Sequence, residues 1–472
     1  MSEIVVGDVR AEGERVTYEY ACSPDLRRFF ADDFFVEYDV DVSDVPESLL
    51  AVPLVANLCP VAWATGADVY VPTVDATFFR SLRKVRRGFE RIHPELATEG
   101  GLGEVYARNP VATRRERDLE PDRGSAMLFS GGVDSVTTYL RHREEDPTLV
   151  SVHGFDIGLD QNDRWTERQP HLREFARRRD LDNRFVRTNM QQFLDLVMLN
   201  AHFGRHYDDN WITSVHHGLG LLGACAPLSV TEGFDTLYIA ATHSEGFEYA
   251  WGSHPATDDE VAWADTTVEH DAYELTRQQK LYRIADYVRV EAPDLELRTC
   301  SLDSENCGEC EKCVRTEVGL LLAGLDPVDH GYPFEGKTLE RARDHFEEGD
   351  WHLGADERFM WRDVQTHAER IPQDDDAETP ATGMPTAGAP DTETPDSDVA
   401  CPVAEFPYPE AAAFFEWLRD ADIDALAARS SNPDSTDSPR NRAVYAVARR
   451  TPYPVYAGLA TAYSHLAELL AA

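Results

Sequence analysis

Over residues 124–245 short apolar runs alternate with longer amphipathic stretches. AMLF (126–129), LVSVHGFDI (149–157), FVRTNM (185–190) and TLYIAATHSE (236–245) have the length and composition of buried strands. Between them VTTYLRHREE (136–145), WTERQPHLREFARRR (165–179) and WITSVHHGLGLLGACAPL (211–228) have the length of helices. Strands alternating with helices in this way predict an α/β fold, a doubly wound parallel sheet with helices on both faces, which we place at 124–340. Upstream, RVTYEYAC (15–22), FFVEYDVDV (34–42) and ADVYVPTV (67–74) alternate as strands and SLRKVRRGFERI (81–92) reads as a helix, so an N-terminal α+β domain is expected over 1–123. A helical extension is expected over 341–372. The acidic stretch rich in Pro and Thr at 373–402 has too little apolar surface to bury and is expected to be a disordered linker. Periodicity returns in FFEWLRDADIDALAA (414–428), and a C-terminal helical module is expected over 403–472.

The turn after the first of the four runs reads SGGVDS, residues 130–135. A helix N-terminus exposes unpaired N–H groups and the positive end of the helix dipole. Gly131 and Gly132 let the backbone curl into a nest with no side chain to block a phosphate. Ser130 and Ser135 add hydroxyl donors, and Asp134 offers a carboxylate for a magnesium ion bridging phosphate oxygens. The Walker cradle, with its Gly-Lys-Ser/Thr end, does not occur in the chain. SGGVDS resembles instead the signature of the PP-loop ATP pyrophosphatase superfamily, whose domain is of the adenine nucleotide alpha hydrolase type. That resemblance implies ATP as substrate, with pyrophosphate leaving and AMP passing to an acceptor. A plain glycine turn between strand and helix is the alternative.

Charge changes the picture of the surface rather than of the site. The 472 residues carry 86 Asp and Glu against 45 Lys and Arg, a formal net charge of −41. Lysine occurs only at positions 84, 280, 312 and 337. A carboxylate surface nearly devoid of lysine suits a high-salt cytoplasm, where hydrated acids keep a protein soluble. We read a halophilic archaeal source and a cytoplasmic location. The N-terminus has no basic region followed by an apolar core, and no apolar run approaches the ~20 residues that span a bilayer, so no membrane partner is expected.

Four of the eight cysteines fall in TCSLDSENCGECEKCVRT (299–316). Cys300, Cys307, Cys310 and Cys313 are spaced C-x6-C-x2-C-x2-C, which allows four thiolates to close a tetrahedral zinc shell. Buried free thiols or a redox Cys-x-x-Cys are the alternatives, and the charged company of the segment is wrong for a core. A PP-loop followed by this cluster resembles the 7-cyano-7-deazaguanine synthases, nitrile-forming enzymes of deazapurine biosynthesis in the queuosine and archaeosine routes. CGECEKCVRT (307–316) is close to that family's CGxCxxCxxR pattern, and the resemblance spans about 124–325, less than half the chain. It implies a C–N ligase that adenylates a small-molecule carboxylate, captures it with ammonia, and uses ATP, Mg2+ and Zn2+.

Ligands of open parallel sheets sit beyond the carboxyl ends of the strands. Candidates there are His153 and Asp156 after the second run, Thr188 and Asn189 after the third, and Thr242, His243 and Ser244 after the fourth. By resemblance the second and third strand ends receive adenine and ribose. Each such residue could equally be a turn or a cap. His216 and His217 are adjacent and cannot share a face, so at most one faces the site. The synthases close over their acid with a Leu-Thr/Ser-Lys string. Here Leu275 and Thr276 are followed by Arg277, with Lys280 three residues later, and both cations are taken as catalytic candidates beside Asp134. A guanidinium in place of an ammonium alters how an anion is held.

Other acceptors stay open. Arg80, Arg83, Lys84, Arg86, Arg87 and Arg91 cluster on one predicted helix, with Arg114, Arg115 and Arg117 beyond it. They form either a solvated helix face or a landing site for RNA. A tRNA-modifying PP-loop enzyme would use that face, with Cys225 as its nearest candidate sulfur carrier. A related enzyme acting on a protein or nucleic acid, and a nucleotide-responsive scaffold without turnover, complete the alternatives.

Overall fold

Eleven strands form one sheet. They are β1 (Glu3–Glu12), β2 (Arg15–Cys22), β3 (Phe35–Tyr38), β4 (Asp68–Asp75), β5 (Val105–Val111), β6 (Gly124–Leu128), β7 (Thr148–His153), β8 (Asn183–Thr188), β9 (Phe234–Ala240), β10 (Ala262–Trp263) and β11 (Thr266–Asp271). Their order is β10-β11-β9-β6-β7-β8-β3-β2-β1-β4-β5. The computed structural model describes residues 2–113, 124–370, 408–429 and 439–450. Contacts divide the chain into two compact units, Met1–Glu274 with Asn432–Ala472, and Leu275–Ser431. The whole sheet lies in the first.

Within it β8, β7, β6, β9 and β11 are parallel neighbours. In chain order they run 3-2-1-4-5, so the order reverses between β6 and β9, where open α/β sheets bind their ligands. The helices that connect them include α3 (Val133–His142), α4 (Asn162–Arg178) and α5 (His217–Ala224), preceded in the chain by α1 (Val52–Thr65) and α2 (Ala76–Ile92). Both faces of the parallel strands are covered. Asp271 of β11 pairs with Arg141 and His142 of α3, while its neighbour His270, pointing the other way, meets Asp258 in the turn Pro255–Asp258. The fold is therefore α/β with a large, mostly parallel sheet.

The N-terminal strands continue this sheet. β3 pairs antiparallel with β8 through Val36–Thr188, Glu37–Arg187 and Tyr38–Val186. Two side chains stitch the seam. The Thr188 hydroxyl donates to the Phe35 carbonyl at 3.0 Å, and Asn189 accepts from the Phe35 N–H at 2.9 Å while donating to the Asp33 carbonyl at 2.7 Å. Without them β8 would be an open edge. The boundary expected at 123/124 thus falls inside one unit.

One expectation is corrected. Glu47–Thr65 is, at 19 residues, long and apolar enough to cross a membrane, and 94% of an 18-residue window within it is buried inside the structure. α1, within it, is a core helix, apolar on every side and therefore without the periodicity that marks a surface helix. α2 starts at Asp75, whose buried carboxylate accepts from the N–H groups of Thr77, Phe78 and Ala264, each at 2.9 Å. Asp75→Ala removes a cap and orphans a buried donor, so unfolding in denaturant is expected to show a loss of about 2–4 kcal/mol. An unchanged midpoint would contradict this reading of the cap.

The second unit is helical among the described residues: α6 (Arg277–Val290), α7 (Glu311–Leu322), α8 (Lys337–Glu348), α9 (Ala355–Ala368) and α10 (Pro409–Asp420). α7 to α10 pack around Val318, Phe346, Trp361 and Phe415. The expected boundary at 340 does not coincide with the division after Glu274. Residues 342–368 of the expected extension and residues 411–427 share this core, whereas the helix Pro439–Arg450 belongs to the first unit. The 373–402 linker, Arg114, Arg115 and Arg117 lie outside the described residues.

Candidate functional site

β6 delivers the SGGVDS turn to the point where strand order reverses. Phe129 still belongs to the ladder, its N–H on the Val150 carbonyl at 2.8 Å. The chain then leaves the sheet at Ser130, Gly131 turns with φ +78°, and Gly132 opens α3 without a side-chain cap. A left-handed φ favours glycine. A Cβ on Gly131 would also stand 3.2 Å from Nε2 of His171, which α4 brings over the turn. Ser135 is buried and shapes the loop from below. Its hydroxyl donates to the Gly132 carbonyl at 3.3 Å and accepts from the Ser130 N–H at 3.4 Å. Ser130 is exposed, and Asp134 is half-buried in the first turn of α3. The result is a concave backbone turn ending in an uncapped helix, with one hydroxyl and one carboxylate at its rim. Such a turn can hold an anion of phosphate type.

The residues expected around adenine and ribose divide. Asp156 is exposed after β7. His153 is buried, stacked on Trp165 at 4.8 Å, with Nε2 3.2 Å from the Gly158 carbonyl, and burial lowers its pKa, so it is a neutral packing residue. Thr188 and Asn189 are committed to the β3–β8 seam. Of the adjacent histidines, His216 is core: Nε2 lies 2.7 Å from Asn57 Oδ1, and burial pushes it down to about 3. Cys225 is also core, its thiol pushed up to about 12 by burial.

His217 instead joins an aromatic group at the carboxyl ends of β7 and β9. It stacks on Phe155 at 4.7 Å with the rings 4° apart and meets Trp251 edge-on at 5.7 Å. Trp251 meets His243 at 4.9 Å, and Phe247 stacks on Tyr249 at 5.1 Å. Beside them lies a pair the sequence reading missed. Asp258, fully buried, accepts from the Ser253 hydroxyl at 2.6 Å and lies 2.9 Å from Nδ1 of His270. With Nδ1–H donated to the carboxylate, Nε2 of His270 is left as the acceptor, the tautomer of a general base. These residues stand 12 apart in a turn and a strand, and no spacing rule joins them.

A second missed group, His142, Glu269 and Asp271, has its ligand atoms within 4.8 Å of one another. Arg141 Nε already lies 2.9 Å from Asp271 Oδ1, so the carboxylate is neutralised by a guanidinium and the group is an ion-pair network.

The remaining candidates are in the second unit. Arg277 and Lys280 are one turn apart at the start of α6, behind a Thr276–Gln279 capping box, and both are buried. The Sγ atoms of Cys300, Cys307, Cys310 and Cys313 all lie within 4.8 Å of one another. Four thiolates on a tetrahedral ion at ~2.3 Å stand about 3.8 Å apart, and Cys307 and Cys313 are separated by 3.9 Å. Backbone N–H groups of Leu302 and Asp303 point at the Cys300 sulfur (3.4 and 3.3 Å), and those of Glu309 and Cys310 at Cys307 (3.5 and 3.3 Å). Such bonds stabilise thiolates. One turn past Cys313, burial pushes the Glu317 carboxyl up to about 8, and among the described residues it makes no hydrogen bond. A neutral acid there avoids adding charge beside four thiolates. In geometry and donor chemistry the group could hold a metal ion.

Comparison of the chain with protein-family models, curated proteins and solved structures finds no match.

Proposed function

We propose that the protein is an ATP pyrophosphatase of the PP-loop type that adenylates a carboxylate, resembling the 7-cyano-7-deazaguanine synthases, with zinc at the four cysteines. The observation that carries the reading is the turn at 130–135, left-handed at Gly131 and opening an uncapped α3, at the reversal point of a 3-2-1-4-5 sheet. ATP lies with its β- and γ-phosphates against this turn. Ser130 and the first N–H groups of α3 take the charge that grows as pyrophosphate leaves. Magnesium at Asp134, when bound, supplies further neutralisation there. An acceptor carboxylate oxygen attacks the α-phosphorus, the bond to the bridging oxygen breaks, and acyl-AMP and pyrophosphate result. Ammonia then displaces AMP to give an amide, losing a proton for which the Asp258–His270 pair is a base. The aromatic group of Phe155, His217, His243 and Trp251 supports a flat heterocycle as the bearer of the carboxylate.

Product analysis tests this. The chain given ATP, ammonium and 7-carboxy-7-deazaguanine is expected to yield AMP and pyrophosphate in equal amounts. ADP and phosphate as the main products would overturn the PP-loop reading. No product from that acid, with AMP formed from another, would overturn only the substrate.

A further inference from the structure

In a chain where acids outnumber bases almost two to one, α2 carries six cations, Arg80, Arg83, Lys84, Arg86, Arg87 and Arg91, against one acid, Glu90. The structure sorts them. Lys84 is paired with Glu260 at 2.7 Å, and Arg86 with Glu104 at 2.8 Å. Arg83, Arg87 and Arg91 are exposed and form no ion pair among the described residues. Four apart, they lie along one face of the helix in steps of about 6 Å. Exposed Arg80, whose guanidinium donates to the Thr77 hydroxyl at 3.3 Å, extends the row by one turn.

The row leads toward the candidate site. α2 presses on the turn that bears Asp258 so closely that a Cβ on Gly88 would stand 2.0 Å from the Ala256 carbonyl oxygen. At the end of the helix the charge of Arg91 is felt at His254 and at Tyr273, both beside His270. Repulsion among arginines costs stability, yet among the described residues no acid is ion-paired with Arg83, Arg87 or Arg91.

We propose that the Arg83–Arg87–Arg91 face of α2 docks the phosphate backbone of a nucleic acid, so that a heterocycle borne on the strand reaches the strand ends beside His270. The docking stands by itself, and only the second clause rests on the proposed function. Arginine suits the task in high salt. At a screening length of ~3 Å in molar salt, long-range attraction is lost, and what remains is the planar fork donating two hydrogen bonds to one phosphate.

The test is binding of the full chain to a labelled single-stranded RNA and to DNA of the same sequence, without ATP, followed by anisotropy across a salt series. The triple variant Arg83→Gln/Arg87→Gln/Arg91→Gln is compared with Arg177→Gln/Arg178→Gln, which removes arginines already paired with Glu174. Wild type and the α4 control are expected to bind alike. The α2 variant, melting as wild type, is expected to bind at least about tenfold more weakly, with the salt slope reduced by about 2, or ~0.7 for each lost phosphate contact. Preference for one polymer names the source of the backbone. Absence of binding by wild type, or equal loss in the control, overturns the proposal. Row-dependent binding with no AMP formed on any strand leaves the docking standing and removes the adenylation of a strand-borne group.

Discussion

Asp134→Ala protein is expected to melt where wild type melts and to release almost no pyrophosphate. The two effects separate because Asp134 is half-buried in the first turn of α3, at the rim of the loop and outside the core. A carboxylate in the first turn of a helix typically contributes about 0.3–1 kcal/mol through the dipole, and no more than about 2 kcal/mol when partly buried. Losing one group that meets charge developing in the transition state costs about 10²–10³ in kcat. Asn at the same place keeps the shape without the charge and should be nearly as impaired, whereas Ser130→Ala, which removes one neutral donor, should lose less. Pyrophosphate release near the wild-type rate in Asp134→Ala would put the metal-binding group elsewhere and leave the turn as a plain connection.

Cys307→Ser and Cys310→Ser are expected to abolish bound zinc and to destabilise the second unit. The four cysteines tie residues 300–310 to the start of α7, and α7 supplies Val314, Val318, Leu321 and Leu322 to that unit's core. Structural zinc contributes ~10–16 kcal/mol in small domains. If only several kcal/mol is realised in a unit with a core of its own, at about 2–4 °C per kcal/mol the midpoint falls by roughly 10 °C or more. Metal analysis is expected to give one zinc per chain in wild type and none in either variant. A metal-free wild-type protein that melts unchanged would make the cluster a set of packed thiols.

What could be read from the chain, and what could not, follows from the range of the forces involved. The turn at 130–135 and the flanking β6 and α3 are local, since glycine conformation and strand period are settled within ten residues. The cysteine group was legible for the same reason, with knuckle spacing carrying the geometry. β1 escaped because its alternation is broken by the register shift between Val6 and Val9, and α1 because a helix apolar all round has no period. Thr188 and Asn189 illustrate the harder case. They do stand at a strand end, as a ligand-binding reading requires, but their side chains hold β3, and nothing near them in sequence announces that partner. Asp258 and His270 are the converse, a polar pair assembled entirely by the fold.

The β3–β8 seam also governs when the chain can finish folding. Val36 leaves the ribosome roughly 150 residues before its partner Thr188, and at ~5–20 residues per second that interval is about 8–30 s. Throughout it the N-terminal half-sheet carries β3 as an open edge, able to pair with any nascent neighbour. Asp39 and Asp41 directly after β3, and Asp32 and Asp33 before it, place like charges on every copy of that edge while it waits. At molar salt these charges act only at contact, so what they set against edge-to-edge pairing until β8 arrives is the cost of desolvating carboxylates brought together.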